Sequence, residues 1–387
     1  MPLEEVCLSV LAFDFTRNCS ELLTQTPQPP TPDAIEAAVT VLLEIGAVVR
    51  EESAERLTAL GQHLAKLPVR GFCWLSAEQF AHDACHPQVD ARVGKMLIYG
   101  TVFRCIDPIL TIAASLSTTK DPFLASQQGD GQAIAMHASM CDKSSDFVSF
   151  VHLWGDFRKS RENLDARKFA RDKFVNFATL MEIQDNRSHL AELLHNLGFL
   201  GIPEWPKRRE DIEQALVQCF QNQNANLTGL VDAVVCGGLF PNVGRVMPKA
   251  TKDTIVMHKN ERLTVQRSVN SKLVDQRADR WLAFSEKFAT QRRVSVSKTA
   301  LVTPLSLMLF GSKLEVLHTQ RRVRVDGWIE LDSAAKTGLL LREVRLRLDA
   351  ILRDLVDRPT RPLEDQTSDL LDDITQLLSA SFATGAR

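Results

Sequence analysis

A chain of 387 residues with 44% hydrophobic and 24% charged residues has an ordinary globular composition and is long enough for two or three domains of roughly 100–200 residues. Its formal net charge of −2 excludes a uniformly basic polyanion binder, so a nucleic-acid site has to be a local patch. No apolar run approaches the ~20 residues of a membrane span, no basic flank leads into a cleavable apolar segment, and eight cysteines without a CxxC pair fit reduced thiols of the cytosol or nucleus better than a disulfide framework.

Met1 to Leu23 reads as a helix with Leu3, Val6, Val10 and Leu11 on one side, and Thr24 to Pro32 as a Pro-rich connector. Thr31-Pro32 supplies a capping hydroxyl and a first-position proline. The helix it opens runs through Ile35, Ala38, Val39, Leu42 and Ile45, and Gly46 stops it. Val48 to Arg50 and Arg56 to Thr58 pair as a short hairpin in this reading. Within Gly71 to Gln88, Cys73, His82, Cys85 and His86 invite a zinc reading, but zinc knuckles bring ligands as close pairs and Cys73 has no such neighbour. A surface insertion is the preferred reading.

Arg92 to Phe123 reads as two helices joined by a tight corner. Val93, Met96, Leu97 and Phe103 form the first stripe, thinned at Gly100 for a close neighbour. Asp107-Pro108 caps and opens the second helix, lined by Ile109, Ile112, Ala113 and Leu116. Leu124 to Lys143 is polar and reads as a loop. Ser144 then caps a helix with Phe147, Phe150, Val151, Trp154 and Phe157 on one face, and Asn163 to Leu197 continues as helices decorated by Lys168, Arg171, Lys173 and Arg187. From Asn242 the period changes from helical to two. Strands are expected near 254–258, 262–266, 281–288 and 293–298, and Asp326-Gly327 turns a hairpin between Arg321–Val325 and Trp328–Leu331. These strands, with a helix at Leu305 to Phe310 between them, suit a closed OB-type barrel. Lys336 to Val356 is a long amphipathic helix whose Arg342, Arg345, Arg347 and Arg353 are expected in water, and a last short helix covers Ser368 to Leu378.

Several strings taken together resemble one family. PLEEVCL at Pro2, LTALGQHLAKLP at 57–68, KMLIYGTVFRCIDPILTIAASLS at 95–117 with Pro122-Phe123, LVDAVVCGGLFPNV at 230–243, Ser268-Val269-Asn270, Glu286-Lys287 and ALVTPLSLMLFG at 300–311 are similar to blocks of the helicase-associated region of DEAH-box RNA helicases. The larger subgroup, which includes the ribosome-associated initiation helicase, is the nearest match. The resemblance runs from about Leu3 to about Leu378, and the Gly71–Gln88 piece has no counterpart in it. It implies an α+β multidomain chain: a partial winged helix (1–68), an insertion (69–89), a helical ratchet bundle (90–226), an OB fold (227–335) and C-terminal helices with a tail (336–387). In the family, the PLEEVCL block follows two RecA-like motor domains; here it begins at residue 2, and the motors are expected to be absent.

The phosphate-cradling GxxxxGK(S/T) loop and an Asp-Glu-x-His string are both missing, so no ATPase activity is expected of this chain. ATP and magnesium belong to the intact helicase. No catalytic residues are assigned. OB folds hold single strands with a basic groove and stacking faces, which makes Arg245, Lys249, Lys252, Arg267, Ser268, Asn270, Lys287, Arg292, Arg293 and Lys298 the groove candidates. The resemblance adds Lys173, Asn176 and Arg187 on or beside the ratchet helix. The expected role is the accessory half of a 3′-to-5′ RNA helicase, binding single-stranded RNA and gating its channel beside RecA-like motor domains. A motor-less RNA-binding or protein-interaction module of a ribosome or ribonucleoprotein is the alternative, and a platform for a glycine-rich activator peptide is a third reading. Cytoplasmic or nuclear residence, without a membrane partner, goes with all three.

Overall fold

The computed structural model describes residues 3–13, 18–51, 54–67, 90–123, 131–162, 165–247, 254–266, 280–290, 293–361 and 364–385. The zinc candidates Cys73, His82, Cys85 and His86, and the groove candidates Lys249, Lys252, Arg267, Ser268, Asn270 and Arg292, lie outside the described residues.

The N-terminal unit is built as its caps dictate. The expected first helix is two, α1 (Leu3–Ala12) and α2 (Cys19–Leu23). Helix α3 (Pro32–Ile45) starts at Thr31-Pro32, with proline at the first helical position but no capping hydrogen bond from the Thr31 hydroxyl, and ends on Gly46, whose φ of 82° is open to glycine at no steric cost. The wing is the hairpin of β1 (Val48–Glu51) and β2 (Ala54–Leu57), with Val48 opposite Leu57. Helix α4 (Ala59–Lys66) is capped by Thr58, whose Oγ1 accepts from the Gly61 N–H at 3.1 Å.

Helices α5 (Ala91–Val102) and α6 (Ile106–Leu116) turn at Arg104, which takes a φ of 57°. Gly100 is the close approach expected: a β-carbon there would lie 2.9 Å from Ile109. Asp107 does not cap α6. The helix begins at Ile106, two residues before Pro108, and the Asp107 carboxylate instead reaches Arg187. Residues 131–140, expected within a loop, form α7 (Gly131–Met140). Helix α8 (Asp146–Glu162) is capped by Ser145, whose Oγ accepts from Val148 N–H, rather than by Ser144. Helices α9 (Ala166–Asp172), α10 (Phe177–Asn196), α11 (Arg209–Gln218) and α12 (Thr228–Leu239) complete the bundle. One continuous apolar core runs through the N-terminal unit and this bundle, with Leu42, Leu64, Met96, Leu97, Ile109, Phe157, Leu190 and Leu230 almost wholly buried. Each such side chain contributes about 1.5–3 kcal/mol by leaving water.

Five strands close a barrel: β3 (Val243–Val246), β4 (Thr254–Val256), β5 (Arg262–Val265), β6 (Trp281–Thr290) and β7 (Arg293–Val302), in the order β3-β4-β5-β7-β6. Among the described residues only β5 and β7 pair in parallel. That path is the five-stranded Greek-key route of an OB barrel. Ile255, Leu263, Val265, Leu282, Phe284 and Val296 fill it. The barrel is already closed by Val302, so α13 (Pro304–Phe310) follows it rather than interrupting it. The Asp326-Gly327 hairpin is also outside the barrel: β8 (Leu314–Leu317), β9 (Arg322–Val325) and β10 (Ile329–Asp332) form a separate antiparallel sheet. Periodicity detects a strand but not the sheet it joins.

Helix α14 (Ala335–Asp357) buries Leu348, Ile351 and Leu352, but also Arg345, which is 6% exposed and paired with Asp349 at 3.6 Å, while Leu340 and Leu346 face solvent. The expectation that all four arginines of this helix face water is corrected accordingly. Helix α15 (Asp365–Gly385) is longer than the short terminal helix expected and packs on α12.

Candidate nucleic-acid interface

Residues 243–302, which contain the barrel strands, hold thirteen Lys/Arg against five Asp/Glu, in a chain whose net charge is −2. Positive charge is therefore concentrated in this stretch of the sequence. Arg245 is exposed on β3, between Val256 of β4 and Trp281 of β6. Arg293 is exposed at the start of β7, opposite Thr290. Lys287 is exposed on β6 and ion-paired to Glu261 at 2.8 Å, from the turn before β5. Lys298 is the most enclosed of the described barrel candidates: it adopts a φ of 52°, its ammonium sits 2.9 Å from Glu286, and its side chain is 16% exposed.

Lys298 lies at a seam between barrel and bundle. Asp146, the first residue of α8, accepts hydrogen bonds from the Thr299 N–H at 2.8 Å and from its hydroxyl at 3.3 Å. Leu301 N–H donates to the Ser144 carbonyl at 2.9 Å, so β7 gains backbone partners from the bundle. Burial raises the Asp121 carboxyl, against which the Phe123 N–H and Lys298 both pull. These contacts fix the barrel's orientation on the ratchet helices.

The ratchet candidates take other roles. Asn176 is the N-cap of α10: its Oδ1 accepts from Ala178 N–H at 3.0 Å and Thr179 N–H at 3.4 Å. Lys173 caps the end of α9 and is half-buried, with its Nζ 3.7 Å from Met136 Sδ. Arg187 is wholly buried, and its guanidinium donates to Asp107 and Glu213 carboxylates at 2.6 and 2.8 Å and to the Asp107 carbonyl at 2.9 Å. Burial opposes the charge, but Glu213 and Asp107 outweigh it and hold Arg187 protonated. An arginine with no exposed surface cannot touch a strand lying on the protein, so the expectation for Arg187 is corrected: it joins α10 to α6 and α11.

Sequence reasoning passed over Lys259 and Arg262, both exposed on the turn into and the start of β5, the second and third strands' face of the barrel. It also passed over an aromatic row: His258 stacks on Trp328 with ring centroids 6.1 Å apart, and Trp328 meets Trp281 edge-on at 5.6 Å. Lys259 and Asn260, with φ of 59° and 57°, shape the turn that presents His258. The signal available was the cluster His-Lys-Asn-Glu-Arg at 258–262 between two strands. Trp281 and Phe284 point into apolar cores. Among the described residues no group of His, Cys, Asp and Glu is suited to hold a metal ion, and no helix is long and apolar enough to cross a membrane. The described cysteines are unbridged, and burial pushes the Cys105 and Cys236 thiols far up.

Comparison with known proteins agrees with this architecture. Four family descriptions match: "Helicase associated domain (HA2), winged-helix" at residues 38–69, "Helicase associated domain (HA2), ratchet-like" at 90–178, "Oligonucleotide/oligosaccharide-binding (OB)-fold" at 231–314, and "C-terminal domain in RNA helicases" at 321–380. The ATP-dependent RNA helicase DHX29 of Mus musculus is 29% identical over 385 residues, covering 98% of this chain and 26% of its own length. The chloroplastic DExH-box ATP-dependent RNA helicase DExH4 of Arabidopsis thaliana is 29% identical, covering 93% and 26%. The ATP-dependent DNA/RNA helicase DHX36 of Homo sapiens is 28% identical, covering 92% and 33%. The chain thus spans between a quarter and a third of the length of these relatives.

Proposed function

Because this chain carries the winged-helix, ratchet, OB and C-terminal domains of the DEAH-box RNA helicases, we propose that its OB barrel holds single-stranded RNA while the ratchet bundle sets the barrel's position over the path of the strand. The observation that carries the proposal is the positive excess of residues 243–302 in an otherwise slightly acidic chain. Phosphate contacts by scattered Lys and Arg bind without regard to sequence, which suits a part that must let a strand move. The β7–α8 seam, held by Asp146 and Thr299, makes barrel and ratchet act as one body. In the intact enzyme, RecA-like motor domains would supply ATP hydrolysis with magnesium and drive 3′-to-5′ movement, and this part would close the channel over them. No step of that chemistry is assigned to the residues here. A ribosome or a glycine-rich activator peptide as a further partner is a separate reading.

The test is fluorescence anisotropy of a labelled unstructured RNA with the purified chain at low and moderate salt. Binding that is indifferent to sequence and weakens with salt along a straight log–log line is expected. Absence of binding at low salt would overturn the proposal.

A further inference from the structure

Helix α9 ends on an unusual residue. Its last turn is closed by two backbone hydrogen bonds, from Val175 N–H to the Ala170 carbonyl at 2.9 Å and from Phe174 N–H to the Arg171 carbonyl at 3.2 Å. That pattern puts the residue after the cap in the left-handed region, where glycine is usual. Here the residue is Phe174, with a φ of 53°. A bulky side chain is a costly choice in that conformation. The backbone is nonetheless pinned. The buried His137 donates from Nε2 to the Phe174 carbonyl at 3.0 Å, and Asn176 N–H donates to the Pro122 carbonyl at 2.9 Å. The ring lines an open cleft of about 610 Å³ between α9 and the start of α10, with Arg167, Ala170, Arg171, Val175 and Phe177. The Phe174 and Phe177 side chains are partly exposed, and both arginines are exposed. Arg167 and Arg171 stand one helical turn apart, a spacing at which like charges repel. The Arg167 guanidinium lies over the Phe177 ring, 5.6 Å from its centroid, and among the described residues no acid answers either arginine. Residues 165–173 carry four Lys/Arg against two Asp.

We propose that this cleft docks an acidic segment of a partner protein, which buries one large apolar side chain against Phe174 and Phe177 and offers carboxylates to Arg167 and Arg171. The unanswered arginines select an anion, and a guanidinium matches a carboxylate in shape as well as charge. The apolar floor of Ala170, Phe174, Val175 and Phe177 selects a side chain that brings no polar atom with it. A nucleobase is the poorer occupant. The Phe174 carbonyl and the Val175 N–H are already taken, so the pairing edge of a base would lose water and gain no partner from the floor. A strained aromatic residue kept where glycine would relax the turn fits a surface retained for what it binds. The site is separate from the barrel and does not depend on the barrel's holding RNA.

The probe is the fluorescein-labelled peptide Asp-Glu-Asp-Phe-Glu-Asp-Glu, titrated into the full chain at low salt and read by anisotropy. Saturable binding that weakens with salt is expected. The same peptide with serine for phenylalanine, and one with asparagine and glutamine for its acids, should each bind at least about tenfold more weakly. Phe174→Gly removes the ring where the backbone favours glycine, so this variant should melt close to the parent and lose about tenfold in peptide affinity. The surface variant Arg167→Glu/Arg171→Glu should remove binding at the same salt. If Phe174→Gly does not fold, the serine peptide and the arginine variant decide. No binding to the parent, equal binding of the phenylalanine and serine peptides, or an affinity untouched in Phe174→Gly overturns the proposal. So does an oligouridine that binds the parent, displaces the peptide and is itself lost in Phe174→Gly, which would give the cleft to the strand. Peptide binding by a parent chain that holds no RNA keeps the cleft and fails the barrel reading; salt-dependent RNA binding without peptide binding does the reverse.

Discussion

Met96 and Gly238 meet so closely that a β-carbon added to Gly238 would lie 2.3 Å from Met96 Cβ and 2.7 Å from its Cα. Helix α12 therefore lies on α5 with its backbone almost in contact, and the helix that enters the barrel is seated on the helix at the centre of the bundle. Gly238→Ala forces the two apart, because the obstructing atoms belong to backbone and a β-carbon rather than to a flexible tip. The expected loss is about 3 kcal/mol, the upper part of the range for overpacking. Gly155 in α8 has nothing within 4 Å of an added β-carbon, so Gly155→Ala should be neutral or stabilising by up to about 1 kcal/mol. Urea unfolding of the two variants beside the parent checks both; equal midpoints would refute the close packing.

Arg187 closes a second long-range link, with Asp107 80 residues earlier and Glu213 26 residues later in the chain. Removing the arginine leaves two partly buried carboxylates facing each other. Arg187→Ala should destabilise by about 3–5 kcal/mol, as for a broken buried ion pair. Arg187→Lys should recover only part of that, since one ammonium cannot reproduce the forked contacts. Thermal melting reads the effect. If Arg187→Ala unfolds like the parent but loses RNA affinity, the residue faces a strand after all and the buried network is the wrong description.

What the sequence made legible was mostly local. Pro32 and Gly46 marked the two ends of α3 because a first-position proline and a left-handed stop act within a few residues, whereas the Thr31 hydroxyl expected as a cap makes no capping hydrogen bond. The barrel strands were visible as a change of period, and Asp326-Gly327 as a turn with φ of 49° and 76°. What escaped depended on partners distant in sequence. Arg187 and Arg345 sit among polar residues on long helices, where the usual expectation for an arginine is solvent, and only the fold brings Asp107 and Glu213 to the first. Asp107 before Pro108 looks like a cap; its commitment to Arg187 is a tertiary preference that overrides the local one. Of the groove candidates, Arg245, Lys287, Arg293 and Lys298 do fall on barrel strands, but an enclosed pairing such as Lys298 with Glu286 cannot be foreseen from charge alone. The left-handed turn at Phe174 had no sequence signal, because that conformation normally goes with glycine.

Lys95 makes stability depend on pH. It is 6% exposed in the middle of α5, with its ammonium 5.4 Å from the centroid of the Tyr99 ring. Burial brings it down to about 8, with Asp349 opposing and Arg345 adding to the shift. An unfolded lysine titrates near ~10.4. Between those values the unfolded chain keeps a proton that the folded chain has released, so this group's contribution to stability rises with pH from about 8 to ~10.4. Below pH 8 the penalty for burying the charge is present in full. Lys95→Met should therefore stabilise the chain at pH 7 by up to about 3 kcal/mol, with the advantage shrinking through that window. Asp232 behaves oppositely: burial raises its carboxyl to about 8, with Ser145 pulling it down, so its contribution falls as pH rises towards 8. The two windows abut rather than overlap, and melts of Lys95→Met at pH 7 and pH 10 isolate the lysine. An advantage that is the same at both values would show that its charge is not what burial penalises.

The barrel makes the sharpest prediction for RNA, because its cations differ in exposure. Arg245 and Arg293 are exposed on strands β3 and β7, whereas Lys298 is enclosed and paired with Glu286. Arg322 and Arg324 are equally basic but belong to the separate sheet, where Glu330 pairs with both. If the barrel surface holds the phosphates, Arg245→Ala and Arg293→Ala should each weaken binding for all sequences alike and reduce the salt slope by about one phosphate contact. The double charge reversal Arg245→Glu/Arg293→Glu should remove binding at moderate salt. Lys298→Ala and Arg322→Ala should leave affinity within about twofold, since the Lys298 side chain is only 16% exposed and Arg322 belongs to the separate sheet. Anisotropy titrations of the four single variants at two salt concentrations are enough to decide. Equal losses at Arg322 and Arg245 would mean that net charge alone attracts the strand and that the barrel has no privileged face.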